Sequence, residues 1–182
     1  MENYLNIGIF GGCNSTPLSD DLKNKLVEIA QSLPTNNVKV VYGGGFTGVM
    51  HVIPQKFNSM GGKVKTINSH SLMKAEDYDK FYGELKIYDT LDIRQSKLIE
   101  SSDIFLCLPG GIGTYSELFQ IMALNHVKAR DCAVLIYNYN NYFDSLKTLI
   151  DNLPKSPENL TFYNNTNDII LALNDHIKKL KN

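Results

Sequence analysis

The sequence predicts an α/β fold, a doubly wound Rossmann-like parallel sheet with helices on both faces. Three observations lead there. Strand-sized runs read as nearly continuous apolar stretches, as strands covered on both faces do. Each is followed by a segment of helical periodicity, the alternation that builds parallel sheets. Glycine clusters also stand at three strand ends, on the edge where such sheets receive ligands. The 182 residues fit one domain, 1–182, with no internal repeat or long linker.

In chain order, the apolar runs are Leu5–Phe10, Lys39–Tyr42, Lys63–Ile67, Leu85–Tyr88, Asp103–Leu108 and Ala133–Tyr137. Helical patterns lie between them at Leu18–Leu33, Thr47–Met60, Thr90–Ser101, Thr114–Val127 and Tyr142–Leu153, and a last helix runs from about Asp168 to Lys181. The apolar runs are far too short to span a bilayer. The start, MENYLNIGIFGG, lacks a basic region followed by a long apolar stretch, so no signal peptide is expected.

Composition narrows the function classes. With 18 basic residues, 19 acidic ones and a formal charge of −1, the chain has no general basic footprint for nucleic acid. Cys13, Cys107 and Cys132 are an odd number with no metal-ligand spacing. Reduced thiols in a cytoplasmic protein are therefore expected, with neither a disulfide framework nor structural zinc. Only Arg94 and Arg130 are arginines. Where lysine is the default cation, an arginine points to a site that needs a planar fork of donors. Arg130, in the turn before the sixth strand, reads as a surface residue.

The three clusters are Gly11-Gly12-Cys13-Asn14-Ser15, Gly43-Gly44-Gly45 with Gly48, and Pro109-Gly110-Gly111-Ile112-Gly113-Thr114. In a parallel sheet they open on one edge. Glycine admits close approach to the backbone, and the following helix offers free N–H groups and the positive end of its dipole. One such cluster is equally well a tight turn; three together favour a phosphate or nucleotide site. Gly8-Ile9-Phe10-Gly11 lacks the dinucleotide spacing, and no cluster ends in a P-loop Lys-Ser/Thr, so a dinucleotide cofactor and ATP hydrolysis are disfavoured.

Two charged residues stand near this edge. Glu117 follows Thr114 by three positions, the spacing of a capping box. A carboxylate hinders anion binding, however, and is better suited to positioning water at a sugar's anomeric carbon or stabilising positive charge there. Arg94 reads either as a surface partner of Asp92 or Glu100, or as a reader of phosphate and sugar oxygens.

The segment Pro109–Glu117, PGGIGTYSE, resembles the PGGxGTxxE signature of the LONELY GUY (LOG) family. Ile9–Ser15, Tyr42–Met50, Gly61–Val64, Leu72-Met73 and Tyr142–Leu146 are similar to further family segments, and Arg94 aligns with the arginine of its MHxRK segment. The resemblance implies hydrolysis of the N-glycosidic bond of cytokinin-type adenosine 5′-monophosphates, releasing free base and ribose 5-phosphate. It implies Arg94 and Glu117 as the catalytic pair. Substrate-binding positions follow at Ser15, Gly44, Gly45, Leu91, Gly110, Gly111, Ile112, Gly113 and Thr114. It also implies a homodimer; no metal or cofactor is expected, and charge and run length point to neither nucleic acid nor membrane as partner. Departures are Leu91-Asp92 for Met-His, Gln95 for Lys, Ser116, and Gln120 for Glu; a preference for prenylated adenine over plain AMP does not follow. Two alternatives remain: a non-catalytic nucleotide or molybdenum-cofactor carrier of the same fold, and an IMP or GMP phosphoribohydrolase of purine salvage.

Overall fold

The apolar runs become strands of one parallel sheet because alternate side chains on each find a different helical layer to pack against. The computed structural model describes residues 4–13, 16–76 and 80–179. Its strands are β1 (Leu5–Phe10), β2 (Val38–Tyr42), β3 (Lys63–Ser69), β4 (Glu84–Tyr88), β5 (Ile104–Cys107), β6 (Ala133–Tyr137) and β7 (Leu160–Tyr163). Between and after them run α1 (Asp20–Ser32), α2 (Val52–Ser59), α3 (His70–Glu76), α4 (Leu91–Glu100), α5 (Ile112–His126), α6 (Asp144–Asp151) and α7 (Thr166–Lys179). The sheet order is β4-β3-β2-β1-β5-β6-β7, with every neighbouring pair parallel.

Strand alternation divides the core in two. Ile7, Ile9, Val40, Tyr42 and Leu106 pack with Leu26 of α1, Phe57 of α2 and Leu173 of α7. Phe10, Val41, Phe105 and Ile136 pack with Leu98 of α4, Leu118 and Ile121 of α5, and Ile150 of α6. Each fully buried Ile, Leu or Phe contributes on the order of 2 kcal/mol, so both layers are needed to hold the sheet. Gly8 belongs to this packing: a Cβ there would lie 2.7 Å from the Phe105 ring, which stacks on Phe10 at 5.0 Å.

After β4 the chain returns through α4 to lay β5 beside β1, on the side away from β2. This reversal opens a crevice at the carboxyl ends of β1 and β5, the expected place for a ligand.

Most boundaries agree to within two residues, and the informative differences concern four elements. Helix α1 starts at Asp20 because Ser19 caps it, its hydroxyl accepting from the Leu22 N–H. Helix α2 starts at Val52, not near Thr47. Before it, Gly48 turns the chain at φ +70°, and the N–H groups of Val49 and Met50 donate instead to Gly12 O. Helix α3 and strand β7 are additional. Among the described residues, no helix is long and apolar enough to cross a membrane.

Candidate active site

The three glycine loops meet at Gly12. Its N–H donates to Pro109 O at 3.0 Å, and its carbonyl accepts from Val49 and Met50 at 2.9 Å each. The backbone of the β1 loop thus ties the β2 loop to the β5 loop. Several glycines serve this contact. A Cβ at Gly110 would lie 2.6 Å from Gly12 N, one at Gly48 would meet the Cys13 carbonyl at 2.2 Å, and one at Gly12 would lie 3.0 Å from Gly110 Cα and 1.8 Å from Thr16 Oγ1 in its own loop. Gly111 and Gly113 are different: a Cβ at either meets nothing within 4 Å. Their smallness serves no neighbour in the fold.

These loops surround a cleft of about 290 Å³, lined by backbone from all three clusters and by Met50, Asn68, Leu72, Leu91, Arg94 and Gln95. Of the positions expected from sequence, Gly45, Leu91, Gly111, Ile112, Gly113, Thr114 and Arg94 line it. Gly44 and Gly110 are not among its lining residues, and Ser15 lies outside the described residues. Helix α5 begins at this cleft with Gly111 as its N-cap and no side-chain cap. Its first N–H groups therefore face the loops, ready for an anion. Helix N-termini of this kind contribute roughly 0.3–1 kcal/mol each, so tight binding needs the converging loops as well.

Arg94 is part of the cleft wall, while Glu117 is not among the residues that line the cleft and meets it through Arg94. Both are nearly inaccessible, at 5% and 6% exposure, and Arg94 Nη1 donates to Glu117 Oε1 at 2.5 Å. Arg94 Nε donates to Ile67 O at the end of β3, at 3.1 Å. The guanidinium is thereby fixed from both sides, with Nη2 against Gly43, where a Cβ would lie 1.7 Å away. This excludes two readings open in the sequence. Arg94 is not a surface residue paired with Asp92 or Glu100, and Glu117, one and a half turns into α5, does not form a capping box with Thr114. Burial pushes the Glu117 carboxyl above the usual carboxylate range, and the Arg94 charge and hydrogen bond pull it back by less. The neighbouring Cys107 thiol is pushed up as well, by burial first and by the charge of Glu117 second.

Such a pair does not suit simple anion binding. A buried carboxylate with a raised pKa, oriented by a fixed guanidinium, can accept a proton from water or stabilise a developing cation. The other arginine is explained differently. Arg130 is half-buried rather than a surface residue, and its Nη2 donates to Ser102 O at 2.6 Å, joining the turns before β5 and β6. A larger apolar groove of about 470 Å³ lies along the far half of α5, at Phe119, Met122 and His126 with Leu153, Pro154 and Pro157. It brings no buried charged pair together.

Sequence reasoning did not single out Asn68, Met50 or Leu72 as cleft residues. A polar residue closing the apolar run of β3 was the available signal for Asn68.

A family model described as possible lysine decarboxylase matches residues 50–177. Cytokinin riboside 5′-monophosphate phosphoribohydrolase LOG5 of Arabidopsis thaliana is 35% identical over 124 residues, which is 68% of this chain and 54% of that protein. Probable cytokinin riboside 5′-monophosphate phosphoribohydrolase LOGL6 of Oryza sativa subsp. japonica is 33% identical over 151 residues, 83% of this chain and 60% of that protein. The chain thus spans little more than half the length of these curated relatives. Among solved structures, the Moco carrier protein from Chlamydomonas reinhardtii superposes with a TM-score of 0.69 at 16% identity, covering 97% of this chain and 99% of that one. The molybdenum cofactor binding protein from Rippkaea orientalis gives 0.70 at 14% identity, with the same coverage. At these identities the likeness is one of fold.

Proposed function

The chain belongs to the LONELY GUY family, whose model is described as possible lysine decarboxylase, and from this we propose that it hydrolyses the N-glycosidic bond of adenosine 5′-monophosphates of the cytokinin type. The products are free base and ribose 5-phosphate. The observation that carries the reading is the buried Arg94–Glu117 pair, whose arginine lines a glycine-rich cleft opening on a helix N-terminus. The curated relatives carry phosphoribohydrolase names, and none of those given above is named as a decarboxylase.

In this reading the free N–H groups at the start of α5, with Gly111, Gly113 and Thr114, hold the 5′-phosphate. Gly45 and Ser15 complete that end. The ribose then lies over Arg94 and Glu117. Glu117 takes a proton from water as the water oxygen bonds to C1′. The C1′–N bond breaks, and its electron pair leaves with the base, which acquires a proton. Positive charge grows on the sugar in the transition state, and the carboxylate opposes it. Arg94 holds the carboxylate in place and offers Nη2 to substrate oxygens. The raised pKa of Glu117 suits a base that works nearer neutrality.

A homodimer is part of the proposal. Leu91, Ile93, Ile112 and Phe119 are exposed along α4 and α5, and burial against a second copy would cover them; sedimentation tests this. The function itself is tested by incubating the protein with AMP, isopentenyladenosine monophosphate, IMP and GMP and assaying free base. Base release from the adenylates supports the proposal. Release from IMP or GMP alone would move it to purine salvage, and release from none would leave a binding protein of the same fold.

A further inference from the structure

Asn68 is the penultimate residue of β3 and is 4% exposed, yet it lines the cleft. Its Oδ1 accepts from the Ser69 N–H at 2.8 Å. Only an oxygen can accept from that N–H, so the orientation of the amide is settled and Nδ2 must point the other way. It points past Gly44, where a Cβ would lie 2.7 Å from Nδ2. Gly44 has φ +89° and no side chain, and this is what lets the amide reach the cleft. Among the described residues, Nδ2 has no hydrogen-bond acceptor. Nδ2 opens instead on the cleft that Asn68 lines, where a bound molecule can take its hydrogens.

Its position says which part of a ligand it meets. The strand order places β3 three steps from β5, about 14 Å at the usual inter-strand spacing. The α5 N-terminus, which suits a phosphate, follows β5. Arg94 spans the gap, bonded to Ile67 O on one side and to Glu117 on the other. Asn68 therefore stands at the end of the cleft remote from the phosphate.

We propose that Asn68 is a specificity-determining residue that donates from Nδ2 to a lone-pair acceptor of the bound nucleotide on the side away from its phosphate. That acceptor is a ring nitrogen or carbonyl of the base, or a ribose hydroxyl oxygen. The inference rests on the nucleotide-site reading above, but not on hydrolysis. A donor fixed with its oxygen turned toward Ser69 favours ligands that offer a lone pair there and penalises those that offer an N–H.

The test compares wild type, Asn68→Asp and Asn68→Ala by calorimetric titration with AMP, ribose 5-phosphate and inorganic phosphate, with melting curves as the folding control. Asn68→Asp keeps an oxygen for the Ser69 N–H while removing the donor, and Asn68→Ala removes both. The expected result is AMP affinity weakened about tenfold or more in both variants, with phosphate affinity within twofold of wild type. Weakened ribose 5-phosphate binding assigns the acceptor to the sugar, and unchanged binding assigns it to the base. AMP affinity within twofold of wild type in both variants would overturn the proposal. So would weakening in Asn68→Ala alone, which would trace the effect to the lost Ser69 contact, or an equal loss of phosphate affinity. Failure of the wild type to release base counts against hydrolysis alone and leaves this comparison intact.

Discussion

Replacing Gly43 by alanine tests whether the fixed guanidinium matters to the chemistry. The added Cβ would lie 1.7 Å from Arg94 Nη2 and 3.0 Å from Cζ, where ordinary contact begins at 3.4 Å. Gly43 is backbone at the end of β2 and cannot retreat, whereas the guanidinium is the far end of a flexible side chain and can. It must move by well over 1 Å, and the cleft beside it is the available space. The move costs the Nη1 bond to Glu117 at 2.5 Å or the Nε bond to Ile67 O at 3.1 Å. Losing one hydrogen bond to a charged group costs about 1.5–3 kcal/mol. For a chain of this size that lowers Tm by roughly 3–10 °C, leaving a folded protein. Displacing a catalytic group by about 1 Å costs on the order of 10²-fold in rate. Gly43→Ala should therefore melt a few degrees early and lose about two orders of magnitude in kcat for base release from AMP. A folded variant with kcat within twofold of wild type would refute the reasoning.

Gly111→Ala makes the complementary case. Its Cβ meets nothing within 4 Å, so Tm should stay within about 1 °C while the methyl enters the end of the cleft where α5 begins. The expected loss is about tenfold or more in AMP affinity, measured by calorimetry. The pH dependence follows from Glu117. Because burial raises its pKa, the acid limb of kcat for AMP should fall above the ordinary carboxylate value of 4.5. Residual activity in Arg94→Met should show that limb moved higher still, since the arginine pulls the pKa down. The same shift makes the native state hold a proton that the unfolded chain has released. The resulting stability is complete below the unfolded pKa and is lost as pH rises through the folded one. Denaturant titrations across that window check the sign.

The fold was legible where burial on both faces leaves an apolar run, as in β1, β2, β5 and β6. Strand β7 was missed because it is an edge strand, only half-buried, and Thr161 interrupts its apolar run. Helix α3 was missed because seven residues carry too little periodicity to read. The start of α2 was misplaced because its pattern of apolar residues continues through a turn that Gly12 organises from 37 residues earlier. That contact is invisible in the local sequence.

At the site, Arg94 and Glu117 were legible as separate residues through motif spacing and the scarcity of arginine. Their bond was not, since 23 residues and a whole strand separate them. The glycines divide in a way that spacing could not reveal: Gly12, Gly48 and Gly110 serve loop-to-loop contact, while Gly111 and Gly113 face the cleft. Asn68 escaped notice because a polar residue after an apolar run is a weak signal, and the Ser69 contact that fixes its amide cannot be read from the sequence.

The central claim is that the Glu117 carboxylate performs chemistry on a nucleotide held by the glycine loops. Single-turnover kinetics of Glu117→Gln with AMP test it most directly. Glutamine keeps the shape and an acceptor oxygen for Arg94 while removing the charge and the base. The predicted result is AMP binding within a few-fold of wild type, with ribose 5-phosphate release slowed by about 10²-fold or more. Wild-type release by Glu117→Gln would contradict it.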